Sequence, residues 1–161
     1  EDADTVVVAL GSVLGTIKDT IDEMRAAGVR IGVLGITCFR PWPLAAVRKA
    51  LAAAKRVVVL EKSLAVGLGG IVSSNVHNSL AAPETPVHTV IAGLGGRTIT
   101  RASLHKAFAG AVAGTLEAVT FLDLDRVAVD RVLAREREVR RSGPIAEALL
   151  RGMGAPGARV G

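Results

Sequence analysis

Four short apolar runs, each followed by a stretch with helical periodicity, constrain the fold of this chain more than any other feature of its sequence. The runs lie at residues 5–10, 29–36, 56–60 and 87–92 and are rich in valine and isoleucine. Runs of this length and composition are typical of strands buried on both faces. Because parallel neighbours need a helical crossover, the alternation predicts an α/β fold with an open, mostly parallel sheet and helices on both faces. A further run at 115–122 predicts a fifth strand.

Helix signals fit between these runs. The first helix is predicted to follow an N-cap at Ser12, the second to begin near Pro43, and the fourth to follow an N-cap at Thr100. Apolar residues at helical spacing predict the buried stripe of the first helix, which consists of Val13, Ile17, Ile21 and Met24. Crossovers in such sheets are expected to be right-handed.

The pattern changes after residue 125. A charged helix is predicted at 127–140 and a short helix at 145–153, followed by a flexible glycine-rich tail. The sequence therefore predicts an α/β domain at 1–125 and a charged helical extension with a tail at 126–161. The first residue is Glu1 rather than methionine, which is expected of a fragment or a processed product.

Charge and hydropathy narrow the class of protein. The 161 residues carry a net charge of +5 but include only three Phe, one Trp and no Tyr. In residues 117–161 the arginines alternate with acidic residues, which is typical of a solvated helix face, and no aromatic residues are interleaved for base stacking. These features argue against nucleic-acid binding. No apolar run reaches the ~20 residues that a membrane span needs, so a cytoplasmic protein without a membrane partner is predicted.

The sequence offers no complete set of catalytic or metal-binding residues. Its single cysteine, Cys38, excludes an intrachain disulfide and is expected to be a buried apolar side chain. The three histidines lack the spacing of a helical metal site, and no serine lies in a G-x-S-x-G elbow.

The candidate site residues follow the predicted strands. Arg40 follows the second strand, and Glu61 and Lys62 follow the third. The turn after the fourth strand adds Gly93, Gly95, Gly96, Arg97 and Thr98. Glycines can adopt positive φ and let the chain turn tightly, and an arginine there suits an anion or a carboxylate of a neighbouring domain. Because parallel strands end at one edge of a sheet, these residues are expected to share that edge.

Four motifs, taken in order, resemble a known family. They are V-V-V-A-L-G-S-V-L-G-T-I-K at 6–18, F-R-P-W-P at 39–43, V-V-V-L-E-K-S at 57–63 and G-L-G-G-R-T-I-T at 93–100. This series resembles the C-terminal, transketolase-C-like domain of the alpha subunit of the 2-oxoacid:ferredoxin oxidoreductases, the pyruvate:ferredoxin oxidoreductase family. Where that family commonly has an aspartate-arginine pair after the third strand, this chain has glutamate and lysine.

The resemblance implies a part in oxidative decarboxylation of a 2-oxoacid to an acyl-CoA, with electrons passing to ferredoxin or a similar acceptor. The complete enzymes of the family use thiamine diphosphate, magnesium, iron-sulfur clusters and coenzyme A. The resemblance also implies that other domains hold these groups. The expected partners are the N-terminal thiamine-binding part of the alpha subunit and the beta and iron-sulfur subunits, in a multi-subunit complex.

Two functions follow from the sequence. The first is a non-catalytic assembly domain that contacts its partners through Arg97 and Glu61, with no catalytic, cofactor-binding or metal-binding residue of its own. The alternative is a free-standing anion-binding or nucleotide-binding module that uses the turn from Gly93 to Arg97.

Overall fold

The computed structural model of this chain describes residues 2–67 and 69–138. The chain divides after Asp123 into two units. In the first unit the elements are β1 (Thr5–Leu10), α1 (Leu14–Ala26), β2 (Ile31–Ile36), α2 (Leu44–Leu51), β3 (Arg56–Glu61), α3 (Ile71–Ser79), β4 (Val87–Ile91), a 3₁₀ turn (Leu94–Gly96), α4 (Arg101–Ala113) and β5 (Val119–Phe121). The second unit contributes α5 (Arg126–Glu138). The predicted helix at 145–153 and the predicted tail lie outside the described residues.

The strands form one sheet in the order β2-β1-β3-β4-β5, and every pairing is parallel. This confirms the predicted α/β fold with an open parallel sheet. β5 is shorter than the apolar run at 115–122, because the chain first closes the end of α4. The backbone N–H groups of Thr115 and Leu116 both donate to the Gly110 carbonyl, at 2.9 and 3.2 Å. Only after these bonds does the chain enter the sheet.

Helices cover both faces of the sheet, as predicted. The α1 and α4 helices pack on one face, where Phe108 is fully buried. The α2 and α3 helices pack on the other face, where Val47 and Val76 are buried. The predicted stripe of α1 is confirmed, since all four of its residues are buried, namely Val13, Ile17, Ile21 and Met24.

The position of α4 departs from the expected right-handed crossover. The connections through α2 and α3 both step toward the β5 edge of the sheet, and both helices lie on one face. The connection through α1 steps the opposite way with its helix on the opposite face, so these three connections share one hand. The α4 connection also steps toward β5, but α4 lies beside α1. Its hand is therefore opposite to that of the other three, against the general rule.

This inverted crossover leaves one face of β5 open. Val119 lies opposite Thr89 in the sheet, and Thr89 contacts Ser73 of α3, which identifies the face. Val119 and Phe121 share this face and are 49% and 38% exposed. A helix connecting β4 to β5 on the α3 side would have covered them. Two apolar side chains of the edge strand are thus exposed as a consequence of topology.

Two local predictions were wrong. Cys38 is exposed rather than buried, because β2 ends at Ile36 and the cysteine falls in the following loop. Ser12 does not cap α1: the N-cap position belongs to Val13, and no side chain accepts a hydrogen bond there. β2 ends where its apolar run ends, so Cys38 lies beyond the strand, and the N-cap of α1 lies one residue later than expected.

The predicted cap of α4 is confirmed. The Thr100 hydroxyl accepts a hydrogen bond of 3.1 Å from the backbone N–H of Ser103. We expect Thr100→Ala to lower the free energy of unfolding by about 1 kcal/mol, because an N–H of the first turn loses its partner. Urea denaturation followed by circular dichroism would measure this. Thr100→Ser, which keeps the hydroxyl, is the matched control and should retain most of the stability; an equal loss in both variants would contradict the capping role.

Candidate functional site

A cleft opens at the carboxyl ends of β1 and β3. The chain leaves β1 toward α1 on one face of the sheet and leaves β3 toward α3 on the other face. Divergence of this kind between neighbouring strands is where α/β proteins usually bind ligands. The cleft has a volume of about 370 Å³. It is lined by Leu10, Gly11, Ser12, Phe39, Leu60, Glu61, Lys62, Ser63, Ile71 and Val72.

Glu61, one of the predicted site residues, is the last residue of β3 and is only 3% exposed. Its Oε1 accepts a hydrogen bond of 2.8 Å from the backbone N–H of Ser73 and one of 3.2 Å from the Ser73 hydroxyl. The Thr89 hydroxyl donates to the Ser73 hydroxyl at 3.0 Å. Gly70, at the N-cap of α3, has no side chain to cap that helix. The Glu61 carboxylate therefore supplies the missing cap from a neighbouring strand, and its charge is favourable at a helix N-terminus.

Lys62 lies on the surface beside this buried carboxylate and lines the cleft. Its Cε lies 3.4 Å from the position that a Cβ on Gly93 would occupy. The lysine stem therefore passes close to the start of the glycine turn, at a distance of ordinary van der Waals contact. Within the described residues, no carboxylate lies within 4.0 Å of the Lys62 ammonium.

The glycine turn reverses the chain between β4 and α4. Gly93, Gly95 and Gly96 have φ values of 72°, 65° and 78°, a region that favours glycine. Within the turn, the N–H groups of Gly96 and Arg97 donate to the carbonyls of Gly93 and Leu94, at 3.3 and 3.4 Å. Two of the N–H groups that could have bound an anion are therefore used by the turn itself. The turn takes the chain to the face on which α4 packs.

Arg97 and Thr98 are both exposed. The Arg97 guanidinium donates through Nη1 to the backbone carbonyl of Asp123, just after β5. The arginine thereby ties the glycine turn to the end of the last strand in the first unit. Arg97 is exposed at the edge of the sheet formed by the carboxyl ends of the strands, which we call the carboxyl-end edge.

Arg40 lies against the aromatic ring that forms one wall of the cleft. Its guanidinium carbon is 4.0 Å from the centroid of the Phe39 ring, and its Nη1 donates to the Phe39 carbonyl at 2.8 Å. The Phe39 ring packs edge-on against Trp42, with ring centroids 5.9 Å apart, and the Trp42 indole N–H donates to the Ser79 hydroxyl at 2.8 Å. This chain of contacts holds the arginine-proline-aromatic loop onto α3.

The structure thus brings some of the predicted site residues together at the cleft and leaves others outside it. Glu61 and Lys62 line the cleft, and Arg40 lies directly behind its Phe39 wall. The turn meets Lys62 at Gly93, while Arg97 reaches toward β5. The predicted site set contains two of the ten lining residues, Glu61 and Lys62. Among the others, Ser12 and Ser63 are polar and follow strands, so the strand-end rule also places them at this edge.

The Asp2 carboxyl and the Arg25 guanidinium form an exposed ion pair at the amino ends of the strands, and their hydrogen bond lowers the pKa of the Asp2 carboxyl. In residues 2–67 and 69–138, no three His, Cys, Asp or Glu side chains converge on a metal-sized space. No helix in this part of the chain is long and apolar enough to cross a membrane.

The fold and the cleft define a doubly wound α/β domain with strand order 2-1-3-4-5 and a cleft at the carboxyl ends of its strands. Residues 3–104 match the family model of the pyruvate:ferredoxin oxidoreductase core domain II. The match covers more than half of the chain, and the chain belongs to this family. The resemblance seen in the four sequence motifs is thereby confirmed.

Similarity to individual proteins supports the assignment to this family. The chain is 40% identical over 109 residues to pyruvate synthase subunit PorA of Methanosarcina barkeri, which covers 66% of this chain and 27% of that subunit. It is 38% identical over 118 residues to the PorA subunit of Thermotoga maritima, which covers 72% of this chain and 30% of that subunit. The chain therefore spans less than a third of the length of these relatives.

A solved structure shares the fold. The 2-oxoglutarate:ferredoxin oxidoreductase from Magnetococcus marinus superposes with a TM-score of 0.56 at 19% sequence identity, over 69% of this chain and 18% of that one. That structure has 2-oxoglutarate, coenzyme A and succinyl-CoA bound. At this level of identity the comparison supports the fold of the domain alone.

Proposed function

We propose that this chain is an assembly domain of a thiamine-diphosphate-dependent 2-oxoacid:ferredoxin oxidoreductase. The complete enzyme would decarboxylate a 2-oxoacid oxidatively in the cytoplasm, form an acyl-CoA and pass electrons to ferredoxin or a similar acceptor. The observation that carries the proposal is the match of residues 3–104 to core domain II of that family. The chain's own role would be to position the thiamine-binding part of the alpha subunit and the beta and iron-sulfur subunits.

The residues of this chain do not fit an iron-sulfur cluster. One cysteine cannot supply the four thiolates of an iron-sulfur cluster. The best-placed carboxylate at the strand ends, Glu61, is used as the cap of α3. No catalytic step is therefore assigned to this chain, and thiamine diphosphate, magnesium, the clusters and coenzyme A are assigned to the partner domains.

The carboxyl-end edge is the surface that we assign to assembly. It carries three exposed cationic side chains, Arg40, Lys62 and Arg97. Arginine at a protein interface binds carboxylates through two parallel hydrogen bonds and remains charged at any physiological pH. A partner surface that carries carboxylates opposite this edge would satisfy these groups.

The proposal predicts that the isolated chain neither oxidises 2-oxoacids nor binds thiamine diphosphate, and that activity appears only on assembly. Coexpression with the thiamine-binding, beta and iron-sulfur parts of the enzyme should give one complex by size-exclusion chromatography, with acceptor reduction that depends on a 2-oxoacid and coenzyme A.

We expect Arg97→Ala to weaken assembly, with Arg30→Ala at the opposite edge of the sheet as the matched control. The proposal would be overturned by 2-oxoacid turnover by the chain alone, or by an active complex that the other parts of the enzyme form equally well when this chain is omitted.

A further inference from the structure

The cleft between β1 and β3 has the features of a small-molecule site. Its volume of about 370 Å³ lies within the range that small ligands occupy in proteins, roughly 300–1,000 Å³. It lies where the chain diverges to opposite faces of the sheet, which is the usual ligand position in this class of fold. Its lining shares Lys62 with the assembly surface proposed above, and the cleft belongs wholly to the first unit of the chain.

The walls of the cleft are apolar and partly open to solvent. Leu10, the last residue of β1, and Ile71, the first residue of α3, line it and are 38% and 43% exposed. The Phe39 ring closes one side and is held by its edge-on contact with Trp42. Large apolar side chains that remain exposed together around one concavity are typical of a surface that binds an apolar group.

Three polar groups that can donate hydrogen bonds also line the cleft. Ser12 and Ser63 contribute hydroxyl groups, and Lys62 contributes an ammonium group. The one carboxylate of the lining, Glu61, is only 3% exposed, and its Oε1 accepts both hydrogen bonds from Ser73 at the start of α3. The exposed charge of the lining is therefore that of the Lys62 ammonium group. The α1 helix, which begins beyond Ser12, has no acidic residue in its first turn to oppose this.

We propose that this cleft binds a small organic anion, a carboxylate or phosphate carried on a short apolar group, with Lys62 and the two serine hydroxyls at the anionic end and Leu10, Phe39 and Ile71 around the apolar end. The site adjoins the glycine turn, which the Lys62 stem approaches at Gly93. The inference does not rest on the assembly proposal, because binding to the chain itself tests it.

The test is an NMR titration of the ¹⁵N-labelled chain with three probes of matched shape: isovalerate, isopentyl phosphate and uncharged isoamyl alcohol. The two anionic arms distinguish a carboxylate ligand from a phosphate ligand. We expect saturable shifts confined to the residues around Ser12, Lys62 and Ser63 for at least one anion, with a Kd on the order of 1–10 mM for ligands of this size, and much weaker shifts for the alcohol.

Two variants separate the roles of charge and apolar contact. Lys62→Gln should weaken anion binding by about 10-fold, since a charge-assisted hydrogen bond is lost, while Lys106→Gln on the exposed face of α4 should leave it unchanged. Ile71→Ser should weaken the binding of isovalerate, because an apolar contact is lost, and should leave the preference for the anions over the alcohol intact. Equal shifts for the alcohol and the anions, or equal effects of the two lysine variants, would overturn the proposal. Unperturbed spectra of the unliganded variants establish that the fold is kept.

Discussion

Gly70→Ala is expected to destabilise the domain by about 2–3 kcal/mol, although alanine suits this backbone. Gly70 has φ of −83° and ψ of 139°, values that any residue adopts. A Cβ at this position, however, would lie 2.4 Å from Oε1 of Glu61 and 2.7 Å from its Cδ and Cγ. The glutamate cannot simply move aside, because it is buried and accepts two hydrogen bonds from Ser73. The methyl group must therefore break the cap of α3 or displace the helix.

The matched control for this prediction is Gly15→Ala in α1. A Cβ there meets no atom within 4 Å, so alanine should be neutral or should stabilise the helix by about 0.5 kcal/mol. Urea unfolding of both variants would make the comparison. If Gly70→Ala changed the unfolding free energy as little as Gly15→Ala, the proposed collision between the new methyl group and the Glu61 carboxylate would be contradicted.

A double-mutant cycle tests the cause directly. Glu61→Ala removes both the cap and the atoms that the new methyl group would meet, so it is destabilising by itself. Adding Gly70→Ala to that variant should then cost little, and the double variant should be more stable than the sum of the single effects by at least about 1 kcal/mol. Strict additivity would show that the two residues do not interact.

Phe108→Ala is expected to cost about 3–5 kcal/mol of unfolding free energy, the largest effect of any substitution considered. Phe108 is the largest fully buried side chain and lies in the core between the sheet and the α1 and α4 helices. Its loss leaves a cavity on the face where α4 must pack to complete the inverted crossover. The α4 helix has few other large apolar contacts, since its remaining buried residues are Leu104, Ala107 and Ala111.

Phe121→Ala on β5 is the control, because it removes the same side chain from a position that is 38% exposed. We expect it to cost less than about 1 kcal/mol in the isolated chain. Thermal and urea unfolding of the two variants should differ clearly. Similar losses would mean either that α4 is not anchored through Phe108 or that the open face of β5 is covered in solution.

The candidate site was predictable to the extent that it depends on position along the chain. Glu61 and Lys62 follow an apolar run, and that alone located them at the edge where the cleft lies. Their different environments were not visible in the sequence. The burial of Glu61 depends on Ser73, twelve positions away, and the reach of Arg97 depends on Asp123, which is 26 positions away. Such contacts arise only when separate elements pack together.

By itself, the sequence determined the alternation of strands and helices, the buried stripe of α1, the Thr100 cap and the family, because periodicity, capping and motifs are properties of residues close together in the chain. The tertiary structure alone decided the face on which α4 packs, the use of Glu61 as the cap of α3 and the open face of β5. The pattern of α4 fits either face of the sheet equally well. Which face it covers depends on how the glycine turn and the core around Phe108 fit against α1, and those are contacts between distant segments.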